Sequence, residues 1–378
     1  VSDIVLTEKK FAQIIAENGG RVFRVGGCVR DSFMGVIPKD IDFSVVGMVK
    51  KNFKIIFPEA RECGKSFPVF HLTIDGIKRE VAFARTEQKV GSGYKGFKVS
   101  AKPKITIEED LFRRDTTINS MAQDSLTGEI IDPFHGMEDI KAKILRATSQ
   151  HFSDDPIRVL RLAGQSARFG FTIDQNTLPL AMAAGEELAQ EPVERMIAEL
   201  GKVLTEAKEP GIFFKVLAKL NLLEITFREI GELPTQEFEK AIDGLNLVAK
   251  VTQNAKLRFA ALGIVLDKES LTSWNTRMTL PGDWLDAAVT VRETIDFLAE
   301  PTPDKIVAAI TKLRRGSLNI EELDTITKAV GLKIPELIPL KAAMTLSQDE
   351  AVPKALKGKE IGEWLRVKHV EAISKQLL

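Results

Sequence analysis

The chain has 378 residues, more than one typical domain, so two or more cores or a modular helical body are expected. Basic and acidic residues both number 53, so a polyanionic partner has to be held by local basic patches rather than by the field of the whole molecule. No apolar run reaches the roughly 18–20 residues that span a bilayer, the N-terminus "VSDIVLTEKK" shows no signal-peptide pattern, and Cys28 and Cys63 form no CxxC pair; a reducing, cytoplasmic setting is the expectation.

In chain order, "DIVLTEKKFAQIIAENG" has helical spacing and ends on Gly19 and Gly20, "RVFRVGG" reads as a short strand, and "DIDFSVVG" alternates as a strand closed by Gly47. "FPVFHLTIDG" and "KREVAFART" continue the strand material, with Asp75 and Gly76 as the hairpin turn between them. The glycine- and lysine-rich "EQKVGSGYKGFKVSAKP" reads as a mobile loop, with residues 88–98 as its centre. From about residue 137 helical periodicity takes over and persists to the end. The fold class is therefore α+β, an α/β head followed by an all-α remainder.

Three stretches carry chemistry. In "RVGGCVRD" and "KDIDFSVV", Asp40 and Asp42 stand two apart, which on a strand aims both carboxylates at one face. Hard cations such as Mg²⁺ take oxygen ligands of this kind, Gly26 and Gly27 let backbone approach a phosphate, and Arg30 supplies a cationic fork for it. A hairpin with surface aspartates is the plainer reading. In "EEDLFRRDTTINSMAQD", Arg113 and Arg114 suit phosphate while Asp115 caps or orients a helix through "TTINSMA"; a charged helix start explains the same residues. In "SDDPIRVLRLAGQSARFGF", Pro156 and the acids before it suit a helix N-terminus, and Asp155, Arg158 and Arg161 fall along one side, as an exposed ion pair would also require.

Taken together, VGGCVRD with KDID, RRDTTIN, DDPIRVLR and "PVERMIAEL" resemble the bacterial class II CCA-adding enzymes, tRNA nucleotidyltransferases that share ancestry with bacterial poly(A) polymerases. The resemblance is specific over residues 21–205 and returns in "LKGKEIGEWL" at 356–365. It implies a nucleotidyltransferase head over 1–136, a helical neck with a nucleotide-selecting template over 137–205, a helical body over 206–300 and a tRNA-contacting tail over 301–378. Asp40 and Asp42 would ligate catalytic Mg²⁺. Gly27, Arg30, Arg114, Asp155, Arg158 and Arg161 would contact ATP or CTP, with DDPIR selecting the base. Cytosine and adenine share an exocyclic amine beside a ring-nitrogen acceptor, so Asp155 would accept from the first and Arg158 donate to the second, whereas uracil and guanine present a carbonyl to the carboxylate.

Departures from the family pattern qualify this expectation. Asp154 stands where the family usually has Glu, leaving that contact open, and Thr116 follows RRD where an aromatic or Leu is usual, a change read as one of packing. Glu80 suits a third carboxylate or an ordinary strand charge equally. The HD phosphohydrolase signature of many relatives is degenerate, with Ile264 and Val265 in place of the His-Asp pair, and the four histidines (His71, His135, His151 and His369) leave none between 152 and 368. The expected partners are tRNA, ATP and CTP, with no membrane and no DNA. Basic "KLRRG" at 312–316 and "PKALKGKE" at 353–360 are candidate tRNA contacts or solvated helix faces. An A-adding or CC-adding specialist, a poly(A) polymerase, whose longer basic C-terminal tail is not seen here, and a non-catalytic tRNA-binding protein are the alternatives.

Overall fold

The computed structural model describes residues 5–64, 69–91, 96–345, 353 and 356–377. The chain forms two compact units, one of residues 1–166 and 170–191, the other of 167–169 and 192–378.

The first unit begins with α1 (Glu8–Glu17), started by the Thr7 side chain accepting from the Lys10 amide and followed by Gly19 at φ +80°. Then come β1 (Arg21–Val25), α2 (Gly27–Phe33), β2 (Asp42–Val46), α3 (Lys50–Ile56), β3 (Arg61–Cys63), β4 (Val69–Ile74) and β5 (Ile77–Phe83). The Asp75–Gly76 turn joins β4 to β5 as expected, both residues having positive φ. The glycine- and lysine-rich stretch differs from its reading as a loop: β6 (Thr86–Lys89) and β7 (Phe97–Ser100) pair antiparallel across it, and residues 92–95 lie outside the described residues. α4 (Ile107–Phe112), β8 (Ala122–Asp124), β9 (Ile130–Ile131), α5 (Gly136–Ala142), β10 (Ile144–Leu145), α6 (Ile157–Phe169), β11 (Thr172–Ile173) and α7 (Thr177–Gly185) complete this part of the chain. The helix expected through "TTINSMA" shrinks to a single 3₁₀ turn over Thr117–Asn119, because Ala122–Asp124 is drawn into the sheet beside β1.

The main sheet runs β3-β4-β5-β2-β1-β8-β9, with β2 and β5 its parallel pair. Side-chain alternation divides two cores across it. Val22, Phe43, Val45, Phe70 and Val81 pack with Phe11 of α1 and Phe53 of α3 on one face; Phe23 and Val25 pack with Ile107 and Leu111 of α4 on the other. Cross-strand register places Asp42 opposite Val25, hence on the α4 face at the end of β2.

The second unit comprises α8 (Val193–Glu206), α9 (Gly211–Lys219), α10 (Leu223–Thr226), α11 (Arg228–Gly231), α12 (Thr235–Ala249), α13 (Ala255–Ala260), α14 (Lys268–Met278), α15 (Gly282–Ala299), α16 (Pro303–Arg315), α17 (Ile320–Ala329), α18 (Leu337–Ala343) and α19 (Lys359–Leu377). Leu257, Val291, Ile306, Ile310, Leu323 and Ile373 belong to one apolar cluster that spans α13 to α19. Where a His-Asp pair would stand, Ala261–Ile264 form a 3₁₀ turn, and the next acid, Asp267, caps α14 by accepting from the Ser270 amide at 2.7 Å. No helix among the described residues is long and apolar enough to cross a membrane.

Candidate active site

β2 opens at Asp42, so Asp40 lies in the irregular approach to the strand and does not share a strand face with it, as the spacing had suggested. The two carboxylates still converge, lining with His71, Lys78, Arg79 and Glu80 an open cleft of ≈ 530 Å³. Glu80 arrives through the parallel register of β2 and β5, which sets it opposite Asp42. On its other side His71 of β4 brings Nε2 to 3.5 Å from Glu80 Oε1. Burial pushes the Asp42 carboxyl above the usual range, the charge of Glu80 adds to this, Arg114 opposes it, and Asp40 adds a further rise. Crowded, partly desolvated carboxylates are a donor set that a hard divalent cation fits, since it removes the like-charge cost. Among the described residues no three His, Cys, Asp or Glu side chains gather as a metal cage. Two carboxylates suffice for Mg²⁺, which completes its shell with water and substrate phosphate.

Behind the cleft, the glycine turn is shaped by two arginines. Gly26 has φ +73°, and a Cβ there would meet Arg114 Nη1 at 2.9 Å, so only glycine lets that guanidinium lie against the turn. Arg30 of α2 is buried and donates to Asn119 Oδ1 and Asp31 Oδ1, both at 2.6 Å. Arg113 and Arg114 part company. Arg113 is consumed by Glu87, Asp110 and the Arg85 carbonyl. Arg114 donates to Asp110 Oδ2 at 3.1 Å, and its buried Nε has no partner among the described residues. Burial would raise the Asp110 carboxyl, yet Arg113 and Arg114 draw it down to about 2.

Asp115 does not cap the turn that follows it by reaching forward alone. Its Oδ1 accepts from the Thr116 amide at 2.8 Å and Asn119 Nδ2 at 3.2 Å. Its Oδ2 accepts from Arg161 Nε at 2.7 Å, which carries the link to α6. Burial opposes the charge of Asp115, but Arg161 and these donors hold its carboxyl well below the usual range. The template residues are likewise more than an exposed helix start. Arg158 is buried and donates to the His151 carbonyl at 2.5 Å; burial lowers its guanidinium pKa while Asp115 and Asp155 raise it. Asp155 Oδ1 accepts from the Ile157 amide at 3.3 Å at the start of α6. Asp154, the shorter acid, is engaged by His151 Nδ1 at 2.7 Å.

The first unit thus gathers Asp40 and Asp42 about one cleft, sets the charge of Arg114 to act on Asp42, and joins Arg30 to Arg161 through Asn119 and Asp115. Sequence reasoning did not single out His71, Lys78, Arg79, Asn119 or Gln165. The first three enter because β4 pairs with β5 and β5 with β2, which leaves no local signal; Asn119 stands within the quoted RRDTTIN.

A carboxylate pair at the entry to a strand of a mixed sheet, a glycine turn and buried arginines define a nucleotidyltransferase head. The family described as Poly A polymerase head domain matches residues 22–146, and the probable RNA and SrmB-binding site of polymerase A matches 170–233. The CCA-adding enzyme of Pseudomonas putida (strain W619) is 34% identical over 376 residues, 93% of this chain and 97% of its own. That of Coxiella burnetii (strain RSA 331 / Henzerling II) is 35% identical over 374 residues, covering 93% and 94%. The solved apo form II of a CCA-adding enzyme shares the fold with TM-score 0.72 at 23% identity, over 98% of this chain and 94% of that one. The chain belongs to the CCA-adding enzymes, a family of tRNA nucleotidyltransferases that generally use a divalent metal.

Proposed function

We propose that this chain rebuilds the CCA end of tRNA. The 3′-hydroxyl of the tRNA attacks the α-phosphate of CTP or ATP, a phosphodiester forms, and pyrophosphate leaves. The observation that carries this reading is the cleft lined by Asp40 and Asp42, with Asp42 in the field of Arg114. Mg²⁺ held by Asp40 and Asp42 would neutralise charge on the reacting phosphate and favour the ionised hydroxyl. Gly27 and Arg30 receive the triphosphate at the glycine turn, and the unpartnered Nε of Arg114 is a donor that a phosphate oxygen would satisfy. Asp155 and Arg158 read the edge of C or A, and Arg161 holds the nucleotide from α6. The neck (137–205), body (206–300) and tail (301–378) serve the template and the tRNA, in the cytoplasm.

The test uses tRNA transcripts that end before CCA, at CC and at full length, supplied with CTP, ATP, UTP or mixtures. CC addition from CTP, then a single A from ATP, with no product from UTP, is expected. Products that stop at CC, A added only to CC ends, or long A tracts would replace this reading with a specialist or a poly(A) polymerase. Intact binding with no transfer at all would leave a tRNA-binding protein.

A further inference from the structure

Asp115 accepts a fourth hydrogen bond that nothing in the proposed chemistry calls for. Gln165 of α6, one turn beyond Arg161, brings Nε2 to 3.3 Å from Asp115 Oδ2, the oxygen that also holds Arg161. A glutamine amide is nearly symmetric in shape, and reversed it would set oxygen against the carboxylate. The far end of this amide is occupied: Thr116 Oγ1 donates to Gln165 Oε1 at 2.8 Å. Thr116 is 0% exposed and Gln165 3%, so water does not compete for either partner.

We infer that Thr116 and Gln165 form a lock that positions Asp115 and, through it, the guanidinium of Arg161. Thr116 holds the amide by its oxygen, the amide presents its N–H to Asp115, and Asp115 is left one orientation in which Oδ2 receives Arg161. An aromatic or Leu at 116 would offer the amide nothing, so the residue that departs from the family pattern alters the support of the site and not packing alone. Both are positioning residues. The inference rests on Arg161 contacting the nucleotide.

The test is steady-state kinetics of the full chain on tRNA lacking CCA and on tRNA ending in CC. Thr116→Val removes one neutral hydrogen bond at almost unchanged volume, so KM for CTP and for ATP should each rise about fivefold with kcat retained. Thr116→Ser, which keeps the hydroxyl, should return both within about twofold of the parent. Combined with Arg161→Ala, Thr116→Val should add nothing to the rise that Arg161→Ala causes alone. Gln165→Met, which keeps the length and removes the amide, should reproduce Thr116→Val and stands in for it if that variant does not fold. Unchanged KM values with a lowered melting temperature, or additive effects in the double variant, would overturn the lock. An Arg161→Ala enzyme with parental KM values would instead remove Arg161 from the nucleotide site, and the lock with it.

Discussion

Among the described residues, seven charged side chains are buried in the first unit (Arg30, Asp110, Asp115, Asp124, Asp139, Arg158 and Glu191) and only Arg258 in the second. Arg258 is satisfied by backbone, donating to the carbonyls of Leu204, Ala207, Ala249 and Thr252, and plays the part of a strut between helix ends. In the first unit Arg158 also donates to a backbone carbonyl, that of His151, but buried carboxylates are met by side chains of opposite charge, as Asp110 is by Arg113 and Arg114, and Asp115 by Arg161. Burying charge is costly unless it is paired and hydrogen-bonded, and an apolar core of equal volume would be as stable or more so. The difference therefore separates a unit whose interior fixes the direction of charged groups from one whose interior, dominated by the cluster around Leu257, Ile306 and Ile373, serves packing.

The largest expected effect breaks the comparison at its sharpest point. Asp42→Ala should lower nucleotide transfer by at least about a thousandfold, the scale of losing charge stabilisation at a reacting phosphate. Its melting temperature should hold, since a partly buried carboxylate crowded by Glu80 and Asp40 is relieved. The matching change in the second unit, Asp267→Ala, removes a helix cap and should cost about 1 kcal/mol of stability with turnover retained. Labelled CMP incorporation and thermal melts measure both. Transfer at parental rates by Asp42→Ala would remove the cleft from the chemistry.

How much of this was legible in the sequence follows the same division. Helical periodicity and the Asp75–Gly76 turn are local, and the structure agrees with them. Asp40 and Asp42 are legible as a pair because they stand two apart, although the strand starts two residues later than the alternation suggests. Partners across the sheet are legible only as candidates. Glu80 could be named as a third carboxylate or an ordinary strand charge, and it is the parallel pairing of β5 with β2, which nothing local announces, that sets it opposite Asp42. For the same reason the arginines 113 and 114 look equivalent as a dipeptide, yet Glu87 on β6 takes one and leaves the other beside Asp42. The glycine- and lysine-rich stretch reads as a loop because its short polar strands, partly buried through contacts such as that of Glu87 with Arg113, lack the apolar alternation that marks a half-buried strand in sequence.

A second, smaller effect sharpens the comparison through pH. Asp110 is buried and titrates at about 2 in the folded chain against 3.8 ordinarily, so its charge stabilises the first unit fully above about pH 4 and this contribution is lost as pH falls toward 2. The contribution at neutral pH is on the order of 2 kcal/mol. Asp110→Asn should lower the protection of amides in α4 and β1 by a comparable amount at pH 7, and the gap from the parent should narrow between pH 4 and 2. Hydrogen exchange read by mass spectrometry measures it. A gap that stays constant over that range would show that the Asp110 pairs with Arg113 and Arg114 contribute through shape and not charge.

The smallest effect lies on the surface of the second unit. At the end of α16, Lys312 is paired with Glu293, and on α19 Arg366 is paired with Asp304. Arg314 and Arg315 make no ion pair among the described residues and line, with Arg366 and His369, a groove of ≈ 890 Å³. Burial and the charge of Arg314 hold the His369 imidazole below its ordinary pKa, and Asp286, Glu293 and Asp304 line the same groove, so the cations of the α16 end stand beside acids. If the groove meets tRNA phosphates, Arg314→Ala and Arg315→Ala should each weaken tRNA binding by about twofold to fivefold near 0.1 M salt and flatten the slope of log affinity against log salt by slightly under one. Turnover at saturating tRNA should not change. Cations at a helix C-terminus also favour the helix itself, so a loss of affinity alone would fit local fraying as well as a lost contact. The salt slope separates the two: fraying lowers affinity at every salt concentration alike, whereas a lost phosphate contact removes one released counterion and changes the slope. Filter binding of labelled tRNA between 50 and 200 mM salt reads it, and an unchanged slope in both variants would leave this stretch of α16 a solvated face.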